Sequence, residues 1–146
     1  PRSRGLGPDT ASMTTLLLSV CLGADSTCVA MARHPGEFAH IKSLILLQPV
    51  SASYLIEEFV KASNIPDGYA RFDKALRGRT GFRLAEQSPL EYAKSIRIPT
   101  LAAQVHHDSR TRPEAVQSIY DAIPVDEKKL VWIKGTTQRF RVPWFR

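Results

Sequence analysis

Three consecutive leucines, Leu16 to Leu18, run into Ser19-Val20-Cys21-Leu22-Gly23, and a stretch of good helix formers from Ala24 to Arg33 follows at once. The apolar run is far too short to cross a membrane. A buried strand that meets small residues and then a helix must turn sharply, so the order predicts strand, tight turn, helix, with Cys21 in the turn. His34-Pro35-Gly36 stops that helix. A strand that feeds a helix in this way asks for another strand beside the first, which restricts the rest of the chain to an alternating α/β arrangement.

The remaining segments agree. Leu44 to Leu47, continuing to Val50, is apolar without alternation, the pattern of a parallel strand covered on both faces. From Ser53 to Asn64, Leu55, Ile56, Phe59 and Val60 recur at helical spacing, and Tyr69 to Leu76 repeats the pattern more weakly. Pro66-Asp67-Gly68 separates these two helices. The polar stretch Gly78 to Pro89, with Arg79 and Arg83, reads as an excursion outside the sheet. Ile98 to His106 is the third expected strand, Glu114 to Ile123 a helix opened by Pro113, and Lys128 to Ile133 the fourth strand. The expected fold is α/β, with about four parallel strands and flanking helices.

At 146 residues, 43% hydrophobic and 23% charged, the chain has material for one core. Residues 1–14, which begin at Pro1 and show no hydrophobic period, read as a loop or cut end, and residues 141–146 as a tail. The net charge of +6 is spread from Arg2 to Arg146. No basic run is interleaved with aromatics and no nucleic-acid motif occurs, so neither nucleic acid nor membrane is the expected partner. Cys21 and Cys28 lie seven residues apart. With Cys21 in a turn and Cys28 in the following helix, geometry argues against a disulfide, and without a leader-like segment the expected setting is cytoplasmic with reduced thiols.

Ser19-Val20-Cys21-Leu22-Gly23, set between strand and helix, resembles the nucleophile elbow of the α/β-hydrolase superfamily, most like the dienelactone-hydrolase-like branch that uses Cys. It departs from Gly-x-Ser-x-Gly at the first Gly and at the nucleophile. The resemblance covers roughly residues 15 to 140 and corresponds to the C-terminal half of that fold, with residues 53–89 as a helical excursion or cap. It implies Cys21 as nucleophile, Ser19 and Gly23 as small flanks that let strand and helix approach, and Leu22 N–H as an oxyanion donor. Asp108, followed by Pro113 and Glu114, matches the acid position. The base position falls on Gln138, which cannot shuttle a proton, and a base His is not found. The implied activity is hydrolysis of an ester, lactone or thioester, with no cofactor and no metal, in a protein that is inactive if the base is missing.

Other readings stand beside these. A Cys among apolar residues also suits an inert core position, which is the expected role of Cys28. Asp108 also suits a turn carboxylate accepting backbone N–H bonds. His106 and His107, if both lay on a regular strand, would point to opposite faces and could not share a metal. Trp144 is expected at an exposed end. The alternative function is a non-catalytic hydrolase remnant or interaction module, whose unpaired sheet edge takes a second copy or a partner chain.

Overall fold

Each apolar run becomes one strand of a single sheet. The computed structural model describes residues 15–139. Four strands, β1 (Thr15–Val20), β2 (Ile41–Leu47), β3 (Thr100–Val105) and β4 (Lys128–Ile133), pair in that order, and every pairing is parallel. Five helices connect them: α1 (Leu22–Arg33), α2 (Ala52–Ala62), α3 (Gly68–Thr80), α4 (Pro89–Ala93) and α5 (Pro113–Ala122). Parallel neighbours need such crossovers because no short turn can bring the chain back to the same end of the sheet.

Alternation along the strands sorts side chains to two faces. Leu44 and Leu46 of β2 and Ala102 of β3 meet Ala24, Cys28 and Met31 of α1, Ala93 of α4, and Ile119 of α5, with Ile96 and Ile123 filling the gaps. Fully burying a Leu such as Leu46, which has no exposed surface, stabilises the fold by about 2 kcal/mol. Helix α5 is closed by a cation: Lys128 Nζ donates to the carbonyls of Tyr120 and Ile123 at 2.9 and 2.7 Å. A positive group there satisfies orphan carbonyls and complements the helix dipole.

Helices α2 and α3 form a hairpin between β2 and the 3-10 turn Leu84–Glu86. Gly68 makes their approach possible, since a Cβ there would lie 2.7 Å from a Val60 methyl carbon. Leu84 N–H donates to Asp73 Oδ1 at 2.6 Å and ties the following loop back to α3. Helix α4 falls at the end of the stretch expected to be an irregular excursion. Its five residues are too few to show a period, and Ser88-Pro89 at its start was the only sequence signal. The terminal segments 1–14 and 141–146, Trp144 among them, lie outside the described residues. Among the described residues, no helix is long and apolar enough to cross a membrane.

Candidate functional site

Because the four strands run parallel, their carboxyl ends lie along one edge of the sheet, where open α/β sheets place their ligands. The loop after each strand contributes one residue to a single cluster: Cys21 after β1, Gln48 after β2, Asp108 after β3 and Arg139 after β4.

Cys21 has φ 55° and ψ −123°, backbone values that a side-chain-bearing residue rarely adopts. Its N–H donates to Leu47 O at 2.9 Å, and its own carbonyl accepts from Ala24 N–H at 3.0 Å, so strand pairing and helix start hold the turn from both sides. Such a conformation costs about 1–3 kcal/mol, and strain of this kind gathers at functional positions. Leu22 is the first residue of α1, so its N–H has no partner within the helix. Ser19 is buried and its hydroxyl bonds Thr27 Oγ1 at 2.7 Å, joining β1 to α1. Gly23 does not serve the close approach expected of it: among the described residues a Cβ there would meet nothing within 4 Å.

Asp108 has no exposed side-chain surface. Its carboxylate accepts from Gln104 Nε2 at 2.7 Å and from Arg110 N–H at 2.8 Å, and it pairs with Arg139 Nε at 3.3 Å. Gln104 Nε2 also donates to Thr111 Oγ1 at 2.8 Å, which fixes the amide that orients the carboxylate. Arg139 Nη2 donates to Cys21 Sγ at 3.7 Å and to the Gln48 carbonyl at 3.3 Å. One guanidinium thus spans from the thiol to the buried carboxylate.

Gln138, the expected base position, stands next to Arg139. Its backbone N–H donates to Thr136 Oγ1 at 3.0 Å and its side chain is exposed. Gly135 at φ 81° shares this turn, and Arg139 is the residue whose side chain contacts Cys21 and Asp108. No histidine hydrogen-bonds Cys21 or Asp108 among the described residues. His106 and His107 lie beyond the end of β3, where strand alternation no longer applies, and their rings meet edge to face with centroids 4.6 Å apart.

The chemical consequence rests on Arg. A guanidinium has donors and no acceptor and stays protonated, so Arg139 can stabilise an anion but cannot take a proton from a thiol or a water. Cys28 offers no alternative nucleophile: burial and the Asp25 carboxylate push its thiol up to about 12. No group of three metal-ligating side chains lies among the described residues.

Two cavities open beside the turn. One of about 490 Å³ is lined by Cys21, Ser109, Arg110, Thr137, Gln138 and Arg139. The other, about 400 Å³ and apolar, lies between Leu22 and the α2–α3 hairpin, against Leu55, Ile56, Phe72, Leu76 and Phe82. A larger hollow of about 540 Å³, lined by Leu16, Ser43, Thr100 and Lys128, sits at the amino ends of the strands, away from the cluster. The sequence reading missed Arg139 and Gln48. Gln48 had a signal, as a polar residue interrupting an apolar run, whereas nothing marked Arg139 apart from its neighbours.

No family model and no curated protein matches the chain. Solved structures do. The monoacylglycerol lipase of Paleococcus ferrophilus superposes with a TM-score of 0.56 at 15% identity, over 84% of this chain and 59% of the lipase. MGS-MChE2, an alpha/beta hydrolase enzyme from a metagenome of lagoon sediments at Mar Chica, Morocco, gives 0.54 at 16% identity, over 84% and 52%. Rv0554 from Mycobacterium tuberculosis gives 0.51 at 15%, over 82% and 56%. The chain spans between about half and three-fifths of these proteins. At such identities the likeness is one of fold, and the described residues carry part of an α/β-hydrolase fold, four parallel strands with their flanking helices.

Proposed function

We propose that Cys21 is the nucleophile of an acyl-transfer site of the Cys-dependent, dienelactone-hydrolase-like kind, one that takes an acyl group from an ester, lactone or thioester but releases it slowly. The observation that carries this reading is Arg139, which stands between Cys21 and Asp108 where a proton-accepting base is required for turnover. A few per cent of an ordinary thiol is ionised at pH 7 and is strongly nucleophilic, so acylation does not depend on a base. The thiolate sulfur bonds to the carbonyl carbon, and the resulting oxyanion accepts from Leu22 N–H. The C–O or C–S bond to the leaving group then breaks, the leaving group takes a proton from water, and a thioester remains on Cys21. Hydrolysis of that thioester needs water activated by a base. Arg139 cannot supply one.

The test is p-nitrophenyl acetate with wild type and Arg139→His. Wild type is expected to release about one equivalent of p-nitrophenol per chain and to carry an acetyl mass on the Cys21 peptide. Arg139→His places an imidazole between thiol and carboxylate and is expected to speed deacylation by 10²- to 10⁴-fold. Continuous turnover by wild type, or no adduct on Cys21, contradicts the proposal.

A second reading, an interaction module, has its own observation. Leu16 and Leu18 are each 52% exposed, and among the described residues β1 pairs only with β2. An apolar open edge of this kind recruits a strand, here from a second copy of the chain. Light scattering that shows mass rising with concentration supports it, and a monomer throughout contradicts it.

A further inference from the structure

The two cavities beside the turn differ in chemistry, and consecutive residues line them: Cys21 the polar one, Leu22 the apolar one. A carbonyl held at Cys21 would therefore have one substituent directed toward each. We infer that the acyl donor is an amphiphile, with an apolar acyl chain seated against the α2–α3 hairpin and an anionic leaving portion seated on Arg110. This rests on the acylation of Cys21 proposed above.

The apolar half is argued from exposure. Leu22, Phe72 and Phe82 are 46%, 42% and 40% exposed, and all three line the same cavity. Exposed large apolar side chains scattered singly need no explanation, but a group converging on one concavity marks a surface that a ligand covers. Leu55, Ile56 and Leu76 complete the wall, and its polar members are Thr80 and Gln87. Among the described residues nothing charged lines this cavity, so a charged acyl group would lose its hydration without a partner there.

The polar half is argued from charge. Among the described residues, Arg110 and Arg139 are the charged ones lining the polar cavity, and no carboxylate side chain lines it with them. Arg139 is committed to Asp108, Gln48 and Cys21. Arg110 is exposed and has no carboxylate partner among the described residues, while its backbone N–H is held by Asp108 Oδ1. A fixed backbone and an uncommitted guanidinium suit a phosphate or carboxylate on the departing group.

The experiment follows the rate of Cys21 acylation, read by mass spectrometry of the whole chain and its peptides, for four donors. Acetyl and octanoyl groups are each offered on N-acetylcysteamine, which is neutral, and on coenzyme A, which carries phosphates on the same thioester end. Octanoyl donors are expected to react at least tenfold faster than acetyl donors on either carrier. This follows because each buried methylene contributes about 0.8 kcal/mol, or roughly fourfold. Octanoyl-coenzyme A is expected to outpace its neutral counterpart, with the advantage shrinking as salt is added. Arg110→Glu is expected to reverse that advantage, and Lys42→Glu, an exposed change at the amino end of β2, to preserve it. Equal rates for acetyl and octanoyl donors, or for charged and neutral carriers, overturn the inference while the acylation reading stands. Absence of a Cys21 adduct with every donor overturns both.

Discussion

Cys21 and Cys28 flank two turns of the same helix and live in opposite environments. Cys21 stands in a turn at φ 55°, half-buried, lining a cavity, with a guanidinium nitrogen 3.7 Å from its sulfur. Cys28 has no exposed surface, packs among Ala24, Met31, Leu44 and Ile96, and has its thiol pushed up to about 12. The residue type is the same and the helix is the same. What differs is whether the position falls on the face packed against the sheet or at the carboxyl edge where strands end, and that alone separates a thiol available for chemistry from one that serves as a small core residue.

The largest effect expected from this contrast concerns Asp25, one turn before Cys28. Its carboxyl is buried, Oδ1 has no hydrogen-bond partner among the described residues, and burial raises it from 3.8 to about 6. The native state therefore binds this proton more tightly than the unfolded chain does. The stability contributed by the group is full below about pH 4 and is lost as pH rises through about 6. By neutral pH the loss is at most about 3 kcal/mol. Asp25→Asn removes the titration. Urea unfolding at about pH 4 and about pH 7.5 is expected to show wild type losing stability relative to the variant at the higher pH, and a constant difference contradicts the assignment. The same substitution removes the charge that helps keep the Cys28 thiol protonated.

Smaller effects of opposite sign are expected from glycine at the two cysteines. Cys28→Gly opens a void in the packed face and puts Gly inside α1, costing about 2 kcal/mol. Cys21→Gly relieves a positive φ and is expected to stabilise the chain by about 1 kcal/mol. Thermal unfolding of both variants checks the signs. Destabilisation by Cys21→Gly would mean that the turn is not under strain.

The fold was legible because each strand of the parallel sheet contains a short apolar run set between helical or turn segments. Lys128 to Ile133 matches β4 residue for residue, and β3 differs from its expected span by two residues at the start and one at the end. Helices with a strong apolar stripe, such as α2 and α5, were equally plain. Short α4, with no period to read, was not. At the site, the elbow resemblance drew attention to Cys21 and Asp108, and both lie at the same edge because a parallel sheet collects strand ends whatever the intervening length. The residue between them could not be named. Arg139 reaches both groups after a turn in which Gln138 N–H donates to Thr136 Oγ1 and Gly135 takes a positive φ, a local backbone path that residue spacing along the chain does not reveal. Gly23 was named from the elbow pattern alone, and among the described residues its neighbourhood is open.

The most direct test of the account is peptide-resolved alkylation of the native chain across about pH 5 to 10, following Cys21 and Cys28 separately. The account predicts that Cys21 is labelled to completion while Cys28 stays unmodified until the chain is unfolded by denaturant. Equal labelling of the two cysteines, or protection of both, would contradict it.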